Sequence, residues 1–202
     1  MKIDHRNKIL DYYNSKIELY GNNSHQTLGY VSAENQVIRY MVLNDFGEIE
    51  NKHILDLGCG FGDFSYFLKK KEIEFTYTGL DLNPSFIQKA KEKYPTLNFQ
   101  VSSLFDYQGA DPDVIFASGI FGLLLDTELN SRAYMLNTVK EMYKRSKRGI
   151  AFNLLNKQGH PAEKNICTFD VHDIHKELEK ITTKLTIRQD YLVHDFTIYM
   201  YK

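Results

Sequence analysis

Between residues 56 and 63 the chain reads Asp56-Leu57-Gly58-Cys59-Gly60-Phe61-Gly62-Asp63, and Asp81 follows further on. Glycines at alternate positions let the backbone turn tightly and bring its N–H groups close to a ligand with no Cβ in the way. The helix expected after the loop adds a positive dipole end to the same space. A carboxylate at the position of Asp81, closing the next strand, can accept hydrogen bonds from both hydroxyls of a ribose. Either feature alone is ordinary, since a glycine turn joins many strands to helices and Asn83-Pro84 invites reading Asp81 as a cap. Their joint spacing points to an adenosine-containing ligand.

A dinucleotide dehydrogenase is the nearest rival. Its fingerprint delays the third glycine, whereas here the glycines stand at 58, 60 and 62, and Asp63 occupies the delayed position. A negative side chain there suits a pyrophosphate poorly.

Other groups capable of chemistry are scattered. Tyr12, Tyr13, Tyr20, His25 and Tyr30 crowd the N-terminal segment and read either as packing against a sheet or as an aromatic wall over a ligand. His160 follows the fifth strand, and His194 and Asp195 fall in the expected turn of a terminal hairpin, where turn chemistry accounts for Asp195. His172 and His175 lie three apart on a helix, but with no convergent third ligand they read as a solvated face and no metal site is expected.

These residues are positioned by an alternation of strands and helices. Residues 1–20 read as an amphipathic helix, broken at Gly21-Asn22-Asn23-Ser24. Ser32 caps a second helix whose apolar face is expected to hold Val37, Ile38, Met41 and Val42. Strands are expected at 53–57, 75–81, 97–101, 113–118 and 149–155, the fourth a nearly unbroken apolar run of the kind covered on both faces. Helices are expected at 63–71, from Asn83-Pro84 to about 94, at 129–146 and at 170–181. Segments 185–192 and 196–201 close the chain as a hairpin with a tight turn. The pattern predicts an α/β doubly wound, mostly parallel seven-stranded sheet with a C-terminal antiparallel hairpin and helices on both faces. Ligands of such sheets bind beyond the carboxyl ends of the strands, at the topological switch point.

Composition narrows the function further. With 202 residues and 43% hydrophobic content the chain forms one domain with a sizeable core. A net charge of -1 argues against a dedicated nucleic-acid binder. Cys59 and Cys167 make neither a disulfide framework nor a zinc motif. With no signal-peptide core and no apolar run of membrane-spanning length, a cytoplasmic protein without membrane association is expected.

The loop at 56–62 and Gly79-Leu80-Asp81-Leu82-Asn83-Pro84-Ser85 resemble the cofactor signature of class I S-adenosylmethionine-dependent methyltransferases, and the resemblance runs from about residue 33 to the C-terminus. It implies that S-adenosyl-L-methionine is the cofactor. Gly58, Cys59, Gly60 and Gly62 would run under its methionine part, Asp56 would hold the amino group and Arg39 the carboxylate. Asp81 would bind the ribose and Leu82 pack on the adenine. Ser103 stands where the family commonly has an acid facing the adenine, with Leu104 and Phe105 beside it and Asp106 as an acid that could reach in. Ser118 falls where the backbone cradles the transferring methyl.

The resemblance is silent on the acceptor. A small molecule methylated on O or N is expected, since the chain is short and lacks the Asn/Asp-Pro-Pro-aromatic run of base amino-methyltransferases. An RNA or protein methyltransferase and a catalytically silent S-adenosylmethionine-binding module are the alternatives. Tyr20, Tyr30, His160 and His194 are the candidates for catalysis. Residues 1–31 are expected to form a lid over a 32–202 core, within a single domain of undetermined oligomeric state.

Overall fold

A computed structural model describes residues 3–160 and 164–202. In chain order the elements are α1 (Ile3–Tyr20), α2 (Ala33–Asn44), β1 (Lys52–Leu57), α3 (Asp63–Lys70), β2 (Phe75–Asp81), α4 (Pro84–Lys93), β3 (Asn98–Val101), β4 (Val114–Ala117), α5 (Glu128–Arg145), β5 (Gly149–Leu155), α6 (Val171–Glu179), β6 (Leu185–Arg188) and β7 (Asp195–Tyr201). The sheet has seven strands in the order β3-β2-β1-β4-β5-β7-β6. β7 is antiparallel to β5 and β6, and the other pairings are parallel. The order reverses between β1 and β4, and that switch point sets where a ligand can enter.

Strand periodicity divides the core into two layers. Ile54 faces the aromatic-rich layer with Phe64, Leu68 and Phe116, which α2, α3 and α4 cover. Its neighbour Leu55 faces the opposite layer, with Met135, Val139 and Met142 of α5 and Ile174 and Leu178 of α6. Central strands buried on both sides read as continuous apolar runs for this reason.

Helix starts follow capping chemistry. Ser32 Oγ accepts from Asn35 N–H at 3.2 Å, Asn83 Oδ1 from Ser85 N–H at 2.9 Å, and Thr127 Oγ1 from Asn130 N–H at 3.1 Å.

Three local expectations are corrected. The buried face of α2 is Gln36, Arg39, Tyr40, Val42 and Leu43, while Val37 and Met41 are 46% and 48% exposed. The helix rotates to bury its arginine, because that arginine has a buried counterion. β6 stops at Arg188, short of the expected 192, and a hydrogen-bonded turn, with Asp195 N–H donating to Leu192 O at 3.0 Å, leads into β7. Asp195 closes that turn as expected, but it also begins β7 and is 1% exposed, so its side chain is buried. Among the described residues no helix is long and apolar enough to cross a membrane.

Candidate functional site

The cleft lies over the carboxyl ends of β1, β2 and β4, at the switch point. Backbone bonds carry β1 directly into the glycine loop, with the N–H groups of Gly58 and Cys59 both donating to Leu80 O, at 2.7 and 3.0 Å. Gly58, Gly60 and Gly62 have φ of +73°, +53° and +78°, a region that side-chain-bearing residues adopt at a cost. Gly79 on β2 makes this approach possible, since a Cβ there would stand 2.8 Å from Cys59 Sγ and 2.6 Å from Phe99.

Asp81 closes β2 with its carboxylate at the cleft. Its Oδ2 accepts from Gly60 N–H at 3.0 Å and its Oδ1 from Asn83 N–H at 2.9 Å. One side chain thus fixes the glycine loop and caps the approach to α4, so the turn role and the ligand-facing position coexist. Each oxygen retains a further lone pair. Burial pushes the carboxyl up to about 6, against the hydrogen bonds from Asn83, Gly60 and Leu82 that lower it. Asp56, 3% exposed on β1, takes the Tyr77 hydroxyl at 2.5 Å. Burial, opposed by that bond and helped by Asp81 and Asp63, lifts it to about 7. Two carboxyls poised near neutrality beside a cleft are groups that a cationic ligand would hold ionised.

The cavity, about 980 Å³ counted out to its mouth, joins these carboxyls to Gly58, Cys59, Gly60, Leu82, Ser103, Leu104, Phe105 and Ser118. Tyr13 and Ile9 of α1 and Leu28, Tyr30 and Tyr40 complete the wall. An apolar slot with a carboxylate at one end and open backbone at the other fits an adenosine bearing a charged amino-acid tail. The Cys59 thiol is held well up by burial and offers no nucleophile.

Several expected residues fall elsewhere. Gly62 caps α3 outside the cavity wall, where a Cβ would stand 2.7 Å from Phe99 Cζ, so its place is structural. Asp63 pairs with Lys93. Asp106 is exposed and accepts from Ser103 Oγ at 2.6 Å, turned onto that serine rather than into the cavity. Tyr20 is 38% exposed on α1, where Lys16 sits over its ring, and it lines neither cavity. Tyr30 is a buried wall residue whose hydroxyl lies 3.0 Å from Ser118 Oγ.

α1 lines the cleft and is fastened near its start and past its middle. His5 Nε2 lies 3.2 Å from Asp126 Oδ2, and Asn83 Nδ2 donates to Asn14 Oδ1 at 2.9 Å. Tyr13 meets Phe86 edge-on.

A second cavity opens beside the first and shares Tyr13, Leu28, Gly119 and Leu123 with it. Gly119 lies on the wall they share, where a Cβ would meet nothing closer than Arg39 Nη1 at 3.7 Å. Its N–H donates to Asn153 Oδ1 at 2.7 Å. This second cavity gathers Arg39, His160 and His194 from segments far apart in sequence. Arg39 spends Nε and Nη2 on Asp195, at 2.5 and 2.8 Å, which leaves Nη1 toward Gly119. Sequence reasoning missed Asp195 as a counterion, because a strand-initial aspartate after a loop looks like a turn residue until α2 is docked on it. Among the described residues no group of three or more His, Cys, Asp or Glu could hold a metal.

Comparison with known proteins agrees with this geometry. Residues 54–149 match the methyltransferase domain family. A putative methyltransferase of Mycobacterium tuberculosis, Rv1506c, is 32% identical over 108 residues, 50% of this chain and 62% of that protein. The trans-aconitate 2-methyltransferase of Klebsiella pneumoniae is 28% identical over 88 residues, 43% of this chain and 35% of that protein. The matches therefore span less than two thirds of these curated relatives. The S-adenosylhomocysteine-bound magnesium protoporphyrin IX methyltransferase of Synechocystis PCC 6803 shares the fold, with a TM-score of 0.69, 98% of this chain and 100% of that chain covered, and 13% identity.

Proposed function

We propose that the chain is a class I S-adenosylmethionine-dependent methyltransferase, as the methyltransferase-domain match supports, and that it transfers the methyl group to an O or N atom of a small molecule seated in the second cavity. S-adenosyl-L-methionine supplies an already activated methyl, so the protein's task is alignment. In this reading Asp81 receives the ribose hydroxyls, Leu82, Leu104 and Phe105 flank the adenine with Ser103 at its edge, and Gly58, Cys59 and Gly60 face the methionine part. Asp56 holds the amino group and Arg39 Nη1 the carboxylate. Ser118 and Gly119 border the passage through which the acceptor meets the methyl. Residues 1–31 act as a lid on a single-domain core, a reading that the contacts of His5 with Asp126 and of Asn14 with Asn83 support.

The observation that supports a working transferase over a silent binding module is the shared wall at Gly119. A second cavity lies against the cofactor cleft and shares the Tyr13, Leu28, Gly119 and Leu123 wall with it, which supports an acceptor chamber beside the cofactor. Calorimetry with S-adenosylhomocysteine tests the first half of the reading, with micromolar binding expected and none for nicotinamide or flavin cofactors. Methyl uptake from radiolabelled cofactor across a metabolite library tests the second half. Uptake confined to RNA or protein fractions would replace the small-molecule reading.

A further inference from the structure

Two carboxyl groups line the cofactor cleft, and they are held differently. Asp81 takes two backbone N–H groups, one on each oxygen. Asp56, 3% exposed, takes one hydrogen bond among the described residues, from the Tyr77 hydroxyl to Oδ2 at 2.5 Å. The sheet register explains how Tyr77 reaches it. Side chains two apart on a strand share a face. Across from Asp56 stands Gly79, which has no side chain, and Tyr77 lies two positions earlier on that face, opposite Ile54. The Tyr77 ring is 5% exposed and meets Phe75 and Phe99 edge-on, with centroids 6.1 and 5.7 Å away. Asp56 is in the cavity wall and Tyr77 stands behind it.

The titratable groups facing Asp56 are Tyr77 and Asp81 of β2, Asp63 of α3, Tyr40 of α2, Tyr30 of the loop before it and Cys59 of the glycine loop. None brings a positive charge. Burial pushes Asp56 up to about 7, the Tyr77 hydroxyl opposes that push, and Asp81 and Asp63 add to it. Tyr77 is therefore the group that favours the ionised carboxylate. Its own hydroxyl is held well above the usual tyrosine range, by burial first and then by Asp56, so it stays a neutral donor. A buried carboxylate with no cation beside it is costly. A ligand that carries the cation removes that cost.

Resting on the methyltransferase reading above, we propose that Tyr77 is a positioning residue for the cofactor's amino group. Its hydroxyl holds Oδ2 of Asp56 and leaves Oδ1 for the ammonium, and Asp56 gives one proton to solvent as the cofactor loads. The ligand enters and stays as an ammonium. The carboxyl O–H breaks, its electron pair stays on the carboxylate and its proton leaves to water. Affinity for the cofactor therefore rises with pH through about 7. Without the Tyr77 hydroxyl the same rise moves to higher pH, because a hydrogen bond to the charged form is lost.

The test uses the full chain with two probes. S-adenosylhomocysteine carries the amino group, and 5′-methylthioadenosine is the same adenosine thioether without it. In calorimetry at pH 7, in buffers of different ionisation enthalpy, the parent is expected to release roughly half a proton on binding S-adenosylhomocysteine, and Asp56→Asn almost none. Tyr77→Phe keeps the ring in its packing. It is expected to weaken S-adenosylhomocysteine binding about tenfold at pH 6.5 and less than about threefold at pH 8. Asp81 titrates in both proteins and cancels from that ratio. Affinity for 5′-methylthioadenosine should match the parent at both pH values. A deficit that is constant with pH, or equal on the two ligands, is a packing defect and overturns the proposal. A parent that releases no proton overturns it too, and that measurement needs no variant to fold. Failure of both nucleosides to bind the parent would instead overturn the cofactor reading beneath it.

Discussion

The guanidinium of Arg39 and the carboxylate of Asp195 meet through two hydrogen bonds, Nε to Oδ2 at 2.5 Å and Nη2 to Oδ1 at 2.8 Å, from positions 156 apart in the chain. Both groups are almost fully buried, with side chains 9% and 1% exposed. The fork geometry matches two parallel donors to two oxygens. It also fixes the third guanidinium nitrogen in the wall of the second cavity, facing Gly119.

Removing one partner leaves a buried charge unmatched. Asp195→Ala is expected to cost about 3–5 kcal/mol of stability, read as a lower denaturant midpoint. The double variant Arg39→Met with Asp195→Leu should recover most of that loss. A single variant as stable as the parent would show that the pair is solvated in solution.

Asp81→Ala should weaken S-adenosylhomocysteine binding at least about tenfold, since hydrogen bonds to a charged group contribute roughly 1.5–3 kcal/mol each. Because Asp81 also accepts from Gly60 and Asn83, a stability loss of about 1 kcal/mol accompanies it. Asp106→Ala, altering an exposed acid outside the cavity, is the control and should bind like the parent. Calorimetry beside a denaturant titration separates the two effects. Parental affinity in Asp81→Ala would remove the ribose assignment.

The raised carboxyls make the free protein pH-sensitive in a stated direction. A folded-state value above the unfolded one, near 3.9 for aspartate, means that the folded chain holds its proton more tightly. Stability from Asp56 and Asp81 is then fullest below about pH 4 and is lost as pH rises through about 6 for Asp81 and about 7 for Asp56. Asp56→Asn, which keeps an oxygen for the Tyr77 hydroxyl, should raise the Tm of the free protein at pH 8 and change it little at pH 4. A Tm difference independent of pH would contradict this.

The lid reading predicts that α1 exchanges its amide hydrogens faster than β1 and β4 in the free protein and slows when S-adenosylhomocysteine binds. Asn14→Ala, removing the acceptor of the Asn83 amide, should speed cofactor release severalfold with little change in global stability. Equal protection of residues 12–31 with and without ligand would count against a lid.

The cofactor half of the site was legible because its signals are local. A tight glycine turn, a strand-ending carboxylate and an Asn-Pro helix start each sit within a few residues and need no partner to be recognised. The mostly parallel sheet followed from the alternation of strands and helices, while its strand order came from the fold. What was not legible depends on partners far away. Val37 and Met41 carried the apolar pattern of α2, yet the helix turned its arginine inward because Asp195 waited there. Tyr20 and Tyr30 looked alike in sequence, but only Tyr30 lies beyond the Gly21 break and reaches Ser118. His160 and His194 are separated by a whole helix and a strand, and nothing short of the folded sheet brings their rings together.

β7, the last strand in sequence, lies inside the sheet between β5 and β6 and brings with it the only carboxylate bonded to Arg39 among the described residues. A ribosome delivers that arginine early and its counterion late. Until residue 195 emerges, β5 has a bare edge and α2 has no reason to bury its charge face. A chain broken off before that point lacks the strand that closes the sheet and the partner that seats the helix, so it would be exposed to proteolysis as a unit. The sheet order thus makes the second cavity depend on late synthesis, since its Arg39 wall is set by Asp195, translated after every part of the glycine loop.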